Sequence, residues 1–561
     1  MRRRAPLSNT TQRKGRTRTA IHSQSKRSQG DLLKPKDQAD TVFKSGKVLQ
    51  SHFPLLIVLG VAAIAGTAIM AYAMKDGIGI TTDSIVYIKV ARNLLNGHGF
   101  RLSAEGTPLT QYPPVYPATL ALSGILATDL LTGVKWLHLF LYVANVLLVC
   151  LLIYRGTEGS LSATIAGLLF MLTSGLVFHS HVVGLSEVLF VFFILMGLLL
   201  IDEYLRRGRI LILVAASIVV GLAGMTRYVG FILLGVVSLC IILLNKSHLL
   251  KRLGHIGIVI TIFTTPVILW IVRNKLESDR IVNRNIMYHP IKFNQIEGAV
   301  STVSSWLFIP AGLPFAFKVS LVIIIILSFL FILARMIKEF GIHSNLNRIP
   351  ILCTLFMSLY ILGLIIAIFF VEANLPFNHR ILFPFYVVLG IALITLASNA
   401  FHLLKKPKKF AVLAGVLLGV FFIAQANTMT RELRIFTENG EGFSGKQWKS
   451  SKAMEFVKKL PDHTTVYSNA PEAIEFLTGR QTKMIPSKRI TTSNEANVRL
   501  SKDLAGMMQD LAHSKGYLVY FDLIAWRGYI PSVEELKPYG ELRQIHRAWD
   551  GTVYQTAKLE Q

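Results

Sequence analysis

The strongest constraint on this chain is the recurrence of apolar runs along its first 430 residues. A helix needs about 20 apolar residues to cross ~30 Å of hydrocarbon, and these runs mostly lack the polar face of a soluble core helix. The sequence therefore predicts a polytopic α-helical membrane protein and excludes a soluble enzyme. About twelve runs stand out: 54–74, 113–131, 134–154, 161–178, 184–204, 210–225, 229–245, 256–273, 319–335, 350–371, 380–399 and 410–427.

Positive charge indicates which side of the membrane each loop occupies. The net charge is +27, and the excess lies in the first 50 residues and in short loops between apolar runs. Loops rich in lysine and arginine stay in the cytoplasm, so we expect a membrane partner and no nucleic acid. The basic loops that should be cytoplasmic are 206–209, 246–252, 335–348 and 405–409.

One non-spanning run reconciles all of these loops with the cytoplasm. If all twelve runs cross, loop 206–209 and the later basic loops fall outside. If run 113–131 does not cross, all of them fall inside. Its opening, Tyr112-Pro113-Pro114, is unfavourable inside a helix, and Asp129 lies near its end. We therefore predict about eleven spans and external juxtamembrane helices.

The chain divides into three predicted parts. Residues 1–50 are basic, polar and without periodicity, which predicts a disordered cytoplasmic tail. Residues 51–430 form the multi-span domain, expected in the plasma (inner) membrane. Residues 431–561 predict a small extracytoplasmic α/β domain, with strands at 464–469 and 516–522 and a helix at 469–479 capped by Asn469.

Asp83 follows the first apolar run within a few residues, in the stretch GITTDSIVYIKVARNLLNGHGF (79–100). Helical spacing of Ile85 and Ile88 predicts an amphipathic helix with Asp83 in its first turn and Thr81 or Thr82 as its cap. A carboxylate is stabilised there by the helix dipole, which is the ordinary interpretation. The functional interpretation is a general base whose basicity is raised by partial desolvation.

Three arginines lie at outer span ends, where a lipid phosphate would sit. The guanidinium groups of Arg227, Arg273 and Arg380 could bind phosphate bidentately, although arginines at span ends also extend to headgroups without further function. Four external histidines show no metal spacing with a carboxylate, so we interpret them as interfacial hydrogen-bonding groups. They are His179, His181, His289 and His379.

Residues 83–100 resemble the first external loop of the GT-C glycosyltransferases, in particular the protein O-mannosyltransferase-like and aminoarabinose-transferase-like bacterial proteins. The resemblance covers roughly residues 54–430. Four further stretches fit in order: QYPPVYP (111–117), GLSEVLF (184–190), TRYVG (226–230) and NHRILFPFY (378–386).

The resemblance implies an inverting glycosyltransferase that moves a sugar from a polyprenyl-phosphate donor to a protein hydroxyl, a lipid or a glycan on the external face. By this likeness Asp83 is the catalytic base. Arg227, Arg380, Arg273 and His379 are the candidates for binding the donor phosphate. Glu187, His181 and Tyr87 are the candidates for binding the acceptor or supplying a second acid.

Two questions stay open in the sequence. Many family members carry a second acid beside the first aspartate, whereas Ser84 stands here, so we predict no required cofactor; a divalent metal is possible but lacks that support. The alternative function is a transporter or flippase of a lipid-linked sugar or other anion. A transporter typically shows internal repeats and ionisable residues near mid-membrane, and we find neither pattern in this sequence.

The predicted topology can be tested with reporter fusions. A reporter after Gln561 should be active only outside the cytoplasm, and one after Lys409 only inside, because the basic loops fix the orientation. Cytoplasmic activity of the Gln561 fusion would contradict the non-spanning assignment of 113–131.

Overall fold

The computed structural model describes residues 35–102, 106–278, 286–404, 407–490, 495–524 and 526–556. Two compact units divide at Pro54, and the second holds residues 55–561. Most of the predicted tail, residues 1–34, lies outside the described part of the chain, as do Lys405 and Lys406 of one basic loop. Residues 35–50 of the predicted tail are helical, which differs from the sequence prediction, because helix α1 begins at Pro35. Proline is favourable at the first helical position, where its missing N–H would have no helical partner.

The chain up to Asn439 is helical. Three short 3₁₀ turns, Met74–Asp76, Tyr228–Phe231 and Phe401–Leu403, accompany the α-helices. In chain order these are α1 Pro35–Ala73, α2 Thr82–Leu95, α3 Val115–Ile125, α4 Leu130–Gly156, α5 Leu161–Thr173, α6 Gly175–Val182, α7 Glu187–Arg207, α8 Ile210–Gly224, α9 Ile232–Leu244, α10 Leu249–Ser278, α11 Phe293–Trp306, α12 Phe315–Phe340, α13 Asn345–Phe370, α14 Phe383–Ala400 and α15 Pro407–Asn439.

In the described residues, length and apolar composition identify up to nine spans, against the eleven predicted. Within the described residues, eight helices are long and apolar enough to cross a membrane, and α5 with α6 forms a ninth span bent by 55°. Helix α8 and the segment Tyr228–Leu244 are apolar but shorter, so the count of eleven stays a prediction. The multi-span helical fold predicted from hydropathy is confirmed.

Helix α3 is the shortest of the three apolar helices in the described residues that fall below spanning length. Its 11 residues span about 16 Å, roughly half of the hydrocarbon thickness. Asp129 ends the segment as the N-cap of α4, accepting a hydrogen bond from the backbone N–H of Thr132 at 3.0 Å. The prolines before α3 and this cap after it explain why run 113–131 is short and separate from α4.

The C-terminal part contains the predicted α/β domain. Strand order in its sheet is β2-β1-β3-β5-β4, parallel from β2 to β3 and antiparallel for β3–β5 and β5–β4. The elements are α16 Lys446–Lys449, α17 Lys452–Lys458, β1 Val466–Ser468, α18 Pro471–Thr478, β2 Lys483–Met484, α19 Leu500–Ser514, β3 Tyr517–Phe521, α20 Val533–Leu536, β4 Leu542–Ala548 and β5 Gly551–Thr556.

The predicted cap of α18 was wrong by one residue. Ala470 occupies the N-cap position. The Asn469 side chain instead donates to the carbonyl of Phe521 and accepts from its N–H, both at 2.8 Å. This exchange joins the ends of β1 and β3, and tertiary pairing of this kind outweighs the local capping preference of asparagine.

The membrane helices and the C-terminal domain share one core. A continuous cluster of buried apolar residues runs from Met70 and Val134 to Trp448 and Phe521. The segment that leads into α2 is fixed between the two parts, because Gly79 bridges Val183 and Ile80 bridges Gly442. Gly442 has a φ of +60°, and a Cβ atom there would lie 2.0 Å from the Ile80 carbonyl oxygen.

Replacing Gly442 by alanine should therefore destabilise the protein through two effects. A left-handed backbone costs a non-glycine residue about 1–3 kcal/mol, and the added methyl group overlaps the Ile80 carbonyl. Gly479→Ala is the matched control, because Gly479 has a φ of +74° with nothing within 4 Å. We expect thermal unfolding of the purified protein to show a larger loss for Gly442→Ala, and equal losses would contradict the contact.

Candidate functional site

Asp83 lies in the first turn of α2, but its side chain does not cap the helix. Thr81 is the N-cap residue, and its N–H donates to the Ser84 hydroxyl at 3.1 Å. The Asp83 carboxylate points to two other side chains. Its Oδ1 accepts from the Tyr112 hydroxyl at 2.8 Å, and its Oδ2 accepts from Nη2 of Arg380 at 2.5 Å.

Arg380 joins Asp83 to a second carboxylate. Its Nε donates to Oε1 of Glu187 at 2.5 Å, and Nη1 of Arg227 lies 2.7 Å from that same oxygen. Two carboxylates and two guanidinium groups thus alternate in one ionic cluster with no net formal charge. We call Asp83, Arg380, Glu187 and Arg227 the carboxylate–arginine cluster.

Exposure increases across this cluster from Glu187 to Arg380. The side chain of Glu187 is 3% exposed and that of Arg227 is 18% exposed, whereas Asp83 reaches 25% and Arg380 36%. The Asp83–Arg380 end is therefore the open end of the cluster. At the closed end, Oε2 of Glu187 is buried and has no hydrogen-bond partner among the described residues.

The cluster keeps Asp83 ionised. Burial alone raises the pKa of Asp83, but Arg380 and the Tyr112 hydroxyl outweigh burial and hold that pKa below its ordinary value of 3.8. Burial likewise opposes the charge of Arg380, yet Glu187 and Asp83 raise its pKa. The expectation that desolvation raises the basicity of Asp83 was wrong for the free protein, because an arginine contacts the carboxylate directly.

Two tyrosines surround Asp83. Tyr87 and Tyr112 pack edge to face, with ring centroids 5.0 Å apart. The Tyr87 hydroxyl lies 3.4 Å from the Ser186 hydroxyl, which accepts from Nη1 of Arg227 at 3.1 Å. Tyr112 was missing from the predicted site, although it belongs to the QYPPVYP stretch on which the resemblance rests.

The structure does not bring the remaining candidates into the cluster. Arg273 donates to the carbonyls of Phe100 and Leu109 at 2.7 and 2.8 Å. His181 is fully buried, with Nδ1 2.7 Å from the Val177 carbonyl and Nε2 3.1 Å from the Asn145 amide.

His379 precedes Arg380 but has a different contact. Its Nδ1 lies 3.1 Å from the indole N–H of Trp306. Burial and the nearby His179 lower the pKa of His379. The lowered pKa disfavours a positive charge on this imidazole.

Arg380 occupies the position between the two carboxylates where a bridging metal ion would bind. Its guanidinium stands between the carboxylates of Asp83 and Glu187, so these two acids do not form a metal-binding pair in this arrangement. Within the described residues no three acidic, histidine or cysteine side chains are grouped as metal ligands. The cofactor requirement stays a prediction.

The C-terminal domain contacts the same helix that carries Asp83. Lys89 of α2 forms a salt bridge with Glu475 of α18. Buried Arg527 pairs with Glu472 at 3.0 Å and approaches the Thr82 hydroxyl at 3.5 Å. Sequence patterns gave no signal for these contacts, because they join segments almost 400 residues apart or more.

Comparison with known proteins identifies the class. The family model for dolichyl-phosphate-mannose-protein mannosyltransferase matches residues 99–278. This range includes Tyr112, Glu187 and Arg227; it begins after Asp83 and ends before Arg380. None of the curated proteins matches the sequence.

Solved structures of similar fold cover almost the whole chain. The crystal structure of ArnT from Cupriavidus metallidurans bound to undecaprenyl phosphate aligns with a TM-score of 0.54 at 12% identity, covering 90% of this chain and 98% of ArnT. Its apo state aligns with a TM-score of 0.55 at 13% identity, covering 89% and 97%. The Archaeoglobus fulgidus oligosaccharyltransferase tethered to an acceptor peptide aligns at 0.51 and 12%, covering 91% and 75%.

The long helices, the external helices α2 and α3 and the C-terminal domain define a multi-span membrane protein of the GT-C fold. Residues 99–278 match the protein mannosyltransferase family model, and the fold of the whole chain is similar to that of ArnT. The resemblance seen in the sequence is thereby confirmed, as is the prediction of an enzyme.

Arg380→Lys should reduce sugar transfer strongly, by about tenfold or more, because one ammonium group cannot replace Nε and Nη2 at two separate carboxylates. Arg273→Lys is the control, because Arg273 lies outside the carboxylate–arginine cluster. Its guanidinium donates to two backbone carbonyls and to the side-chain oxygen of Asn274, and it lies over the ring of Trp270. We expect its rate to stay near that of the parent. The measurement is transfer rate against donor concentration for folded variants. If Arg380→Lys transferred sugar at the rate of the parent protein, the two-nitrogen geometry of the guanidinium would not be needed.

Proposed function

We propose that the protein transfers a sugar from a polyprenyl-phosphate donor to a hydroxyl-bearing acceptor on the external face, with inversion and with Asp83 as the general base. The observation that carries this proposal is the direct pairing of Asp83 with Arg380, which puts a base and a phosphate-binding cation side by side at the open end of the cluster. That ArnT binds undecaprenyl phosphate supports the choice of carrier.

The proposed reaction is a single displacement. The acceptor oxygen attacks the anomeric carbon while the bond from that carbon to the phosphate oxygen breaks, and the phosphate leaves with the electron pair. Asp83 takes the proton of the acceptor hydroxyl. Arg380 is the exposed cation that reaches the phosphate and stabilises its leaving charge, whereas Arg227 stays with Glu187 beneath it.

Donor binding would activate Asp83 by removing its partner. In the free protein Arg380 lowers the pKa of Asp83. A lipid phosphate competes for that guanidinium, because charge-assisted pairs of arginine with phosphate are as strong as those with carboxylate. Once Arg380 turns to the phosphate, burial dominates and Asp83 becomes a stronger base. The base is therefore restrained until a donor is present.

The proposal covers three classes of acceptor and one orientation of the chain in the membrane. A protein hydroxyl, a lipid or a cell-surface glycan would each supply the attacking oxygen, and the archaeal neighbour was solved with an acceptor peptide. We place the N-terminus in the cytoplasm and the C-terminal domain outside, since the basic loops then lie in the cytoplasm. The cluster then faces the external side of the membrane.

Asp83→Asn should lower transfer by ~100-fold or more, because the amide keeps size and hydrogen bonding but cannot accept the proton. Asp462→Asn is the control, as its side chain is fully exposed. The measurement is turnover with a polyprenyl-phosphate sugar for variants of equal thermal stability. Near-normal turnover of Asp83→Asn would show that Asp83 is not the general base and has a structural role only.

The pH profile of the parent enzyme accompanies this test. The profile of kcat/KM reports the free enzyme, in which the pKa of Asp83 lies below 3.8; Asp83 is then ionised at every higher pH. We expect no acid limb in kcat/KM above about pH 5, and an acid limb in kcat at higher pH than in kcat/KM. If the acid limbs of kcat and kcat/KM coincided near pH 6, the proposal that the donor draws Arg380 away from Asp83 would be contradicted.

A further inference from the structure

Three lysines surround a cavity between the outer end of α1 and the C-terminal domain. Lys75 follows α1, Lys135 lies on α4 and Lys449 ends α16, and all three line a cavity of ≈ 510 Å³. One acidic residue, Asp76, lines it as well. The cavity wall therefore carries a formal excess of two positive charges.

Among the residues that the structure describes, none of these three lysines forms a salt bridge with an acidic side chain. Lys75 lies over the ring of Tyr72, at 5.4 Å from its centroid. Lys449 donates to the backbone carbonyl of Asp76 at 3.4 Å, a long contact. Three ammonium groups from three separate elements thus line one cavity. Lysines that only extend to lipid headgroups one by one need not share a cavity.

The rest of the cavity wall is largely apolar. It includes the side chains of Leu131, Phe476 and Leu477. Lys135 lies five residues inside α4, which is about 7.5 Å along the helix from its start. A ligand that fills this space needs a negative group near the lysines and a hydrocarbon portion beside them.

We propose that this cavity binds the headgroup of an anionic lipid. A compact phosphate suits lysine, which offers a point charge with three donors. The apolar wall favours a lipid over free inorganic phosphate, which would bring no hydrocarbon to cover it. The site is separate from the carboxylate–arginine cluster, and its test involves no turnover, so its failure leaves the proposed transfer reaction untouched.

Occupancy of the cavity would affect the position of α2. Phe476 and Leu477 belong to α18, whose Glu475 pairs with Lys89 of α2. Ile80 also lines the cavity and lies three residues before Asp83, so their Cα atoms are at most about 11 Å apart. A bound lipid would hold α18 against the membrane domain beside the helix that carries Asp83.

The test is lipid binding to the purified full-length chain in detergent. Fluorescent phosphatidylglycerol and phosphatidylcholine with identical acyl chains are titrated against the parent and Lys135→Gln/Lys449→Gln. We expect the double variant to lose phosphatidylglycerol affinity by about tenfold or more, since charge-assisted contacts are lost. Affinity for phosphatidylcholine should not change. Phosphatidylglycerol should also raise the thermal stability of the parent more than that of the variant.

Lys446→Gln is the matched control, because Lys446 is exposed on the same short helix as Lys449 but does not line the cavity. If the lipid is attracted only by general positive charge, Lys446→Gln and Lys449→Gln should each lower the affinity for phosphatidylglycerol by the same factor, about fivefold. This result would overturn the proposal. Full competition by millimolar inorganic phosphate would also overturn it. Lys449→Gln alone keeps the test valid if the Lys135 change prevents folding, since Lys449 is exposed.

Discussion

The contact on which the site depends is the bridge that Arg380 forms between two carboxylates. Nε reaches Glu187 and Nη2 reaches Asp83, both at 2.5 Å. Asp83 is on α2, Glu187 begins α7, and Arg380 precedes α14, so one side chain joins three elements. A buried carboxylate is tolerated only with a partner, and Glu187 has two. The bridge therefore holds the outer ends of these elements together and also determines the protonation state of Asp83.

Much of the fold could be predicted because hydropathy and charge are local signals. Length and apolar content predicted the long helices, whereas the assignment of α3 as the segment that does not cross stays a prediction from the basic loops. Asp83, Glu187, Arg227 and Arg380 were each predicted as site residues, from their place at outer span ends together with the resemblance to GT-C glycosyltransferases. Their pairing could not be predicted, since Arg380 and Asp83 are 297 residues apart.

The errors have the same physical origin. The pKa direction of Asp83 was wrong because burial can be inferred from a sequence, whereas an arginine at 2.5 Å is a property of the packed structure. Asn469 looks like a helix cap, yet it joins two strands. Tyr112 was overlooked because a tyrosine beside prolines at a membrane surface has an ordinary explanation as an interfacial residue. The hairpin of β4 and β5 also went unpredicted.

The two partners of the central contact differ in how firmly they are held. Asp83 lies on a helix whose entry is fixed by backbone bridges from Gly79 to Val183 and from Ile80 to Gly442, and whose exposed face meets α18. Arg380 lies in a turn before α14, and its side chain is the most exposed of the cluster. In the proposed reaction a phosphate competes for the guanidinium, and this difference in exposure and support favours movement of Arg380. Asp83 would keep its place, which the proposed role of general base requires.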